Sequence, residues 1–161
     1  MFTSLIGHYP GAVDAKKRSI IPAAFREALR AEKSRSIIIS RSLSDKPREL
    51  CFFFPSQWEL VKENPLSFLS RFGVKEEDYD PELFFGNCFE LFLDEQGRIL
   101  FRQDQLEEAE LGKNIIYVGV NDHGIIRDRD EDEAERKEKV LARKQKRPSA
   151  ALRENKQAGA K

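Results

Sequence analysis

Apolar positions along this chain come in short clusters separated by turn residues, and the clusters follow one order twice. Around the first polar interruption, Val13-Asp14 enters a turn and Ser19-Ile20-Ile21 leaves it, which predicts strand, turn, strand. Pro22 then fits the first turn of a helix, and Ala23 to Ala31 supplies good helix formers. Ile37-Ile38-Ile39 and Cys51-Phe52-Phe53-Phe54 are short β-branched or aromatic runs bounded by turn residues, so both predict strands, and Pro55 opens a second helix.

The same order returns further along. Cys88 to Leu93 and Arg98 to Phe101 flank a second turn, and Asp104 with Glu107 offers a capping box for a short helix. Ile115 to Val120 and Gly124 to Ile126 predict two more strands. Asp14 with Arg18 recurs as Asp94 with Arg98, 80 positions later, too far for a solenoid period and suited to two half-domains of one fold. The implied organisation is a first half-domain at 1–62, a helical connector at 63–86, a second half-domain at 87–133 and a charged tail at 134–161. In that tail a helix from Asp128 to about Lys146 matches acidic residues to its start and basic residues to its end. Pro148 ends it, and the composition beyond predicts disorder.

Composition narrows the class. With 161 residues and 40% hydrophobic content, the chain can bury one core or two small lobes sharing one. Cys51 and Cys88 lie in Phe-rich runs without Cys-x-x-Cys spacing, so they read as buried thiols of a reducing compartment. No apolar run reaches the ~20 residues of a membrane span, and no charged n-region precedes an apolar one, which predicts a cytosolic protein.

Charge changes the picture more. The formal net charge is zero, yet residues 1–50 carry ten Lys and Arg against five Asp and Glu. Residues 51–133 carry eight against twenty, and residues 134–161 ten against three. Binding to a polyanion depends on the local field, so a nucleic-acid partner is compatible with neutrality overall.

The two turns carry the candidate chemistry. Asp-x-x-Gly-Arg has a local explanation, since Asp accepts amides across a tight turn and Gly97 supplies a positive φ. Lys17 occupies the Gly97 position in the first copy, where a Cβ makes positive φ costly, and a costly residue that adds charge points to function. Lys16, Lys17 and Arg18 thus form a basic corner, with Arg26 and Arg30 one turn apart on the following helix as phosphate contacts. Such a corner places Arg18 at a guanine edge in the major groove, which admits a two-stranded ribbon. The second corner keeps Arg98 beside the acidic Glu95, so the first is expected to carry most of the phosphate contact.

Val13 to Leu29, Leu93 to Leu100, Phe52 to Glu59 and Tyr117 to Val120 resemble the MraZ family of bacterial transcription regulators, with two SpoVT-AbrB-type half-domains. The resemblance covers about residues 1–133. It implies an α+β, β-rich fold: a swapped-hairpin β-barrel from two SpoVT-AbrB-like half-domains with short peripheral helices. It also implies a homo-oligomer ring on the nucleoid, binding double-stranded DNA at short operator repeats ahead of division and cell-wall genes, its own operon included. By position, the family's DNA-contacting turns fall on Asp14, Lys16, Lys17 and Arg18, and on Asp94 and Arg98.

Other features favour plainer readings. His8 and His123 have no fixed acid partner in the sequence, so no enzyme is expected. Asp128, Asp130 and Asp132 open like a calcium loop, but Glu133 and Lys139 stand where it needs Gly and Glu, leaving a helix start and no metal. Phe84, Phe85, Phe89 and Phe92 suit a core or subunit interface better than a base-stacking platform, and Trp58 is expected to pack. No cofactor and no small-molecule substrate is implied. A non-enzymatic protein-interaction or antitoxin-like module of the same fold remains the competing reading. The cationic tail either adds phosphate attraction or solvates the C-terminus.

Overall fold

The doubled order of the sequence becomes a doubled order of strands and helices. The computed structural model describes residues 3–44 and 48–146, and among them are eight strands and six α-helices. In chain order come β1 (His8–Ala12), β2 (Arg18–Ile20), α1 (Ala23–Ala31), β3 (Ser36–Arg41), β4 (Glu49–Phe53) and α2 (Pro55–Glu63). Then follow α3 (Pro65–Ser70), a 3-10 turn at Glu76–Asp78, α4 (Pro81–Gly86), β5 (Phe89–Phe92) and β6 (Arg98–Leu100). The last four are α5 (Gln103–Glu108), β7 (Asn114–Gly119), β8 (Gly124–Asp128) and α6 (Arg129–Lys146). Residues up to Arg129 form one unit and those from Asp130 a second.

The fold is α+β with antiparallel pairing throughout the described strands. Six strands form one sheet in the order β1-β7-β8-β4-β3-β5, and β2 pairs with β6 in a separate ribbon. The sequence copies are therefore interleaved: β1 pairs with β7 and β3 with β5, each across the copies. Equivalent strands meet at the two centres, where Ser19 faces Ile99 in the ribbon and Cys51 faces Ile125 in the sheet. β1 and β5 are the outer strands of the sheet, so hydrogen bonding does not close the described strands into one barrel.

Period-two alternation divides the core between the sheet faces. Ile37, Ile39, Leu50, Phe52, Ile115, Tyr117 and Ile126 pack with Phe25 and Leu29 of α1 and with Ile99 of the ribbon. Ile38, Cys51 and Phe53 point the other way, toward Val61 of α2 and Leu69 of α3. Burial on both faces explains why β3 and β4 read as unbroken apolar runs. Each such Phe or Ile contributes roughly 1.5–3 kcal/mol by leaving water. Gly124 lies directly opposite Phe52, and a Cβ there would collide with the Phe52 ring. The ribbon is tied down by a buried hydrogen bond of 2.6 Å between the Ser19 and Tyr117 hydroxyls.

Several expectations shift in detail. α5 begins earlier than a capping box at Asp104 requires: Arg102 is its N-cap, and the Asp104 carboxylate holds the Arg102 guanidinium instead. The four phenylalanines divide between α4 and β5. Phe84 and Phe85 sit on α4 and touch Trp58, Phe89 lies under Arg102, and Phe92 is 67% exposed on the outer strand β5. Trp58 packs on Phe53 as well. The helix expected from Asp128 begins at Arg129, and the segment beyond Pro148 lies outside the described residues.

Candidate nucleic-acid interface

Each Asp-x-x-x-Arg motif folds into a tight corner held by its own aspartate. Asp14 Oδ1 accepts the Lys16 and Arg18 amides, both at 2.9 Å, while Arg18 Nε donates to Oδ2 at 2.9 Å. Asp94 repeats the set: Gln96 and Arg98 amides at 2.9 Å to Oδ1, and Arg98 Nε to Oδ2 at 2.8 Å. The backbone agrees as well, with Lys17 at φ 66° and Gly97 at φ 77°. Lys17 therefore holds the left-handed conformation expected at its position, without the glycine that makes it easy.

This geometry fixes where the guanidiniums can act. Nε is spent on the aspartate, which orients the arginine and leaves its two terminal nitrogens without a partner among the described residues. A planar fork with two free donors suits bidentate acceptance by a phosphate or a guanine edge. Lys16 and Lys17 are exposed beside it. The carboxyls of Asp14 and Asp94 are held below the ordinary carboxylate value, first by the Arg18 and Arg98 amides respectively and also by their guanidiniums.

Antiparallel pairing of β2 with β6 brings the two corners together. Arg18 faces Leu100 and Ile20 faces Arg98, so both arginines stand on one side of the ribbon, with Ser19 and Ile99 buried on the other. Each corner is also stitched to the strand end of the other copy: the Ile21 amide donates to the Gly97 carbonyl at 3.0 Å and the Phe101 amide to the Lys17 carbonyl at 2.8 Å.

That stitching corrects the placement of Arg26. Its side chain does not join Lys16, Lys17 and Arg18; it lies over Gly97, where a Cβ would meet Arg26 Cδ, and Nη1 donates to the Ile21 carbonyl at 2.8 Å. The second corner thus gains a guanidinium from the first copy close to its own Glu95. Arg30 follows one turn later, exposed, its side chain unpartnered among the described residues. Arg102, at the N-cap of α5, follows directly on Phe101 beside the first corner, and its guanidinium, held by Asp104, stacks over the Phe89 ring at 3.7 Å, a placement not read from the sequence. Its signal was absent because the stacking spans two elements.

The histidines do not form a second site. His123 does have an acid partner, contrary to expectation: its Nδ1 lies 2.8 Å from Asp122 Oδ1, and Arg71 in turn holds Asp122. Yet the ring is 1% exposed, caged by Phe53, Phe68 and Phe72, and bonds to no Ser or Cys among the described residues. Burial pushes its pKa below the ordinary 6.5. No group of three metal-ligating side chains occurs among the described residues, and no described helix is long and apolar enough to cross a membrane.

No protein-family model matches the chain. Individual relatives do. Over 118 residues it is 30% identical to the transcriptional regulator MraZ of Clostridium tetani, covering 71% of this chain and 75% of the relative. It is 34% identical over 118 residues to the MraZ of Roseiflexus castenholzii, covering 73% and 76%. The MraZ of Desulfitobacterium hafniense is 33% identical over 118 residues, with 72% and 75% covered. The class these relatives define is that of transcriptional regulators, named for control of transcription and not for a catalysed reaction. The chain belongs to the MraZ family.

Proposed function

We propose that this chain is a sequence-specific DNA-binding regulator of transcription that grips short operator repeats with the two arginine corners of its ribbon. The observation that carries the reading is the matched pair of Asp-locked arginines, Arg18 and Arg98, on one exposed side of β2 and β6. Membership of a family of transcriptional regulators supports it. Arg18 and Arg98 supply oriented forks, Asp14 and Asp94 hold them, and Lys16, Lys17, Arg26 and Arg30 add phosphate attraction. The targets are division and cell-wall genes, including the chain's own operon.

The interleaved copies correspond in this reading to two SpoVT-AbrB-like half-domains, 1–62 and 87–133, joined by the connector 63–86 into a swapped-hairpin unit. A single ribbon makes few contacts, so protomers assembled in a ring on adjacent repeats supply affinity through effective concentration. The outer strand β5, with Phe92 exposed, offers a surface for such assembly.

The test is retardation of the DNA immediately upstream of the chain's own coding sequence. Retardation that weakens steeply with salt and requires the repeats is the expected result. None at low salt would instead favour a protein-interaction module of the same fold.

A further inference from the structure

Four side chains make up the outward face of the ribbon, and only two are charged. Arg18 and Arg98 occupy one diagonal; Ile20 and Leu100 occupy the other, each directly opposite an arginine of the facing strand. Ile20 is 54% exposed and Leu100 59%, although their neighbours Ser19 and Ile99 are buried. Large aliphatic side chains held out between oriented guanidiniums are not explained by phosphate contact, which needs only charge.

We infer that Ile20 and Leu100 are base-reading residues that pack against the 5-methyl groups of thymine in the major groove; the inference rests on the DNA-binding reading above. A two-stranded ribbon fits that groove, and the thymine methyl is the one apolar group on its floor. The rim is what selects this partner. Arg18 and Arg98 flank the apolar pair, Arg26 lies over Gly97 beside Arg98, and Lys16 and Lys17 stand beside Arg18. Asp14 and Asp94 are already engaged by the arginines of their own turns. A second copy seated on this face would set guanidinium against guanidinium. A polyanion with an apolar floor meets both parts of the surface. The arginines orient and anchor, and the aliphatic pair distinguishes thymine from cytosine at the same step.

The experiment uses the full chain and the upstream duplex amplified either with dTTP or with dUTP, which removes every thymine methyl and keeps base pairing. Wild type is expected to bind the dUTP duplex more weakly, by about fourfold for each thymine methyl that Ile20 or Leu100 covers. The double variant Ile20→Ala, Leu100→Ala should bind the dTTP duplex as wild type binds the dUTP one, and should not distinguish the two duplexes. Both substitutions are at exposed positions, so an unchanged melting temperature and an unchanged mass by light scattering are part of the expected result. A drop in oligomer mass would mark the face as a contact between copies and overturn the inference. Wild type that binds both duplexes equally, or a double variant that keeps the full difference, would also overturn it while leaving the regulator reading intact. Absence of salt-sensitive binding to either duplex would overturn both.

Discussion

A single aspartate does most of the local work at each corner. Its two oxygens take two amides and one guanidinium Nε, so turn shape and arginine direction are set together. Glycine is needed only in the second copy. Gly97→Ala would place a Cβ at φ 77° and against Arg26, costing about 1 kcal/mol of stability through backbone strain and displacing the guanidinium from the corner. The expected outcome is a small drop in melting temperature with a larger loss of DNA affinity, measured on the same sample. Lys17 already carries that cost at φ 66°, so Lys17→Gly should stabilise the fold and weaken DNA binding. A gain in both would remove the functional reason for the lysine.

His123 makes a prediction at the same scale. Burial keeps its folded pKa below the ordinary 6.5, so below that value the unfolded chain takes up a proton that the folded ring does not. Stability is therefore complete above about pH 7 and declines as pH falls through 6.5, by at most about 1.4 kcal/mol per pH unit. Urea midpoints from about pH 7 to about pH 5.5 should fall for wild type and flatten for His123→Phe. An equal fall in both would locate the proton uptake elsewhere.

At the level of elements, the doubled order was legible because it depends on local patterns. Ala23 to Ala31 forms α1 as read, Ile37 to Ile39 lies within β3, and the Cys51 to Phe54 run lies within β4 save for Phe54, which caps α2. The turns were legible to the residue, since Asp, Lys17 or Gly97, and Arg act within five positions of one another. Interleaving came only through the family resemblance, as a swapped hairpin of the two halves, and not from the residues. Nothing in the alternation of β2 says that its partner is β6, and that pairing alone carries Arg26 to the second corner. Asp104 misled for a related reason: it matches a capping pattern, but Arg102 claims its carboxylate. The Ser19–Tyr117 bond anchors the ribbon to the sheet and was invisible across the 98 positions that separate them. Tyr117→Phe leaves the buried Ser19 hydroxyl unpaired and should cost about 1–3 kcal/mol, with part recovered in the double variant Ser19→Ala, Tyr117→Phe. Thermal melts of wild type, Tyr117→Phe, Ser19→Ala and the double variant give the coupling; strict additivity would mean the two hydroxyls act independently.

Over the whole molecule, opposite charges are segregated so that neutrality conceals a basic corner. The acidic stretch from 51 to 133 includes the connector and the second corner with Glu95 and Arg98, whereas Lys16, Lys17, Arg18 and Arg26 belong to the basic stretch from 1 to 50. In the proposed reading each arginine corner alone is a weak contact, so the two act as one surface. The most direct test is the salt dependence of DNA binding for Arg18→Ala, Arg98→Ala and the double variant, with wild type as reference. Each single variant should lower affinity by a comparable factor and reduce the slope of log affinity against log salt by about one, with the double variant showing both effects. If Arg98→Ala leaves affinity and slope unchanged while Arg18→Ala removes them, only the first corner touches DNA and the two-corner surface is contradicted.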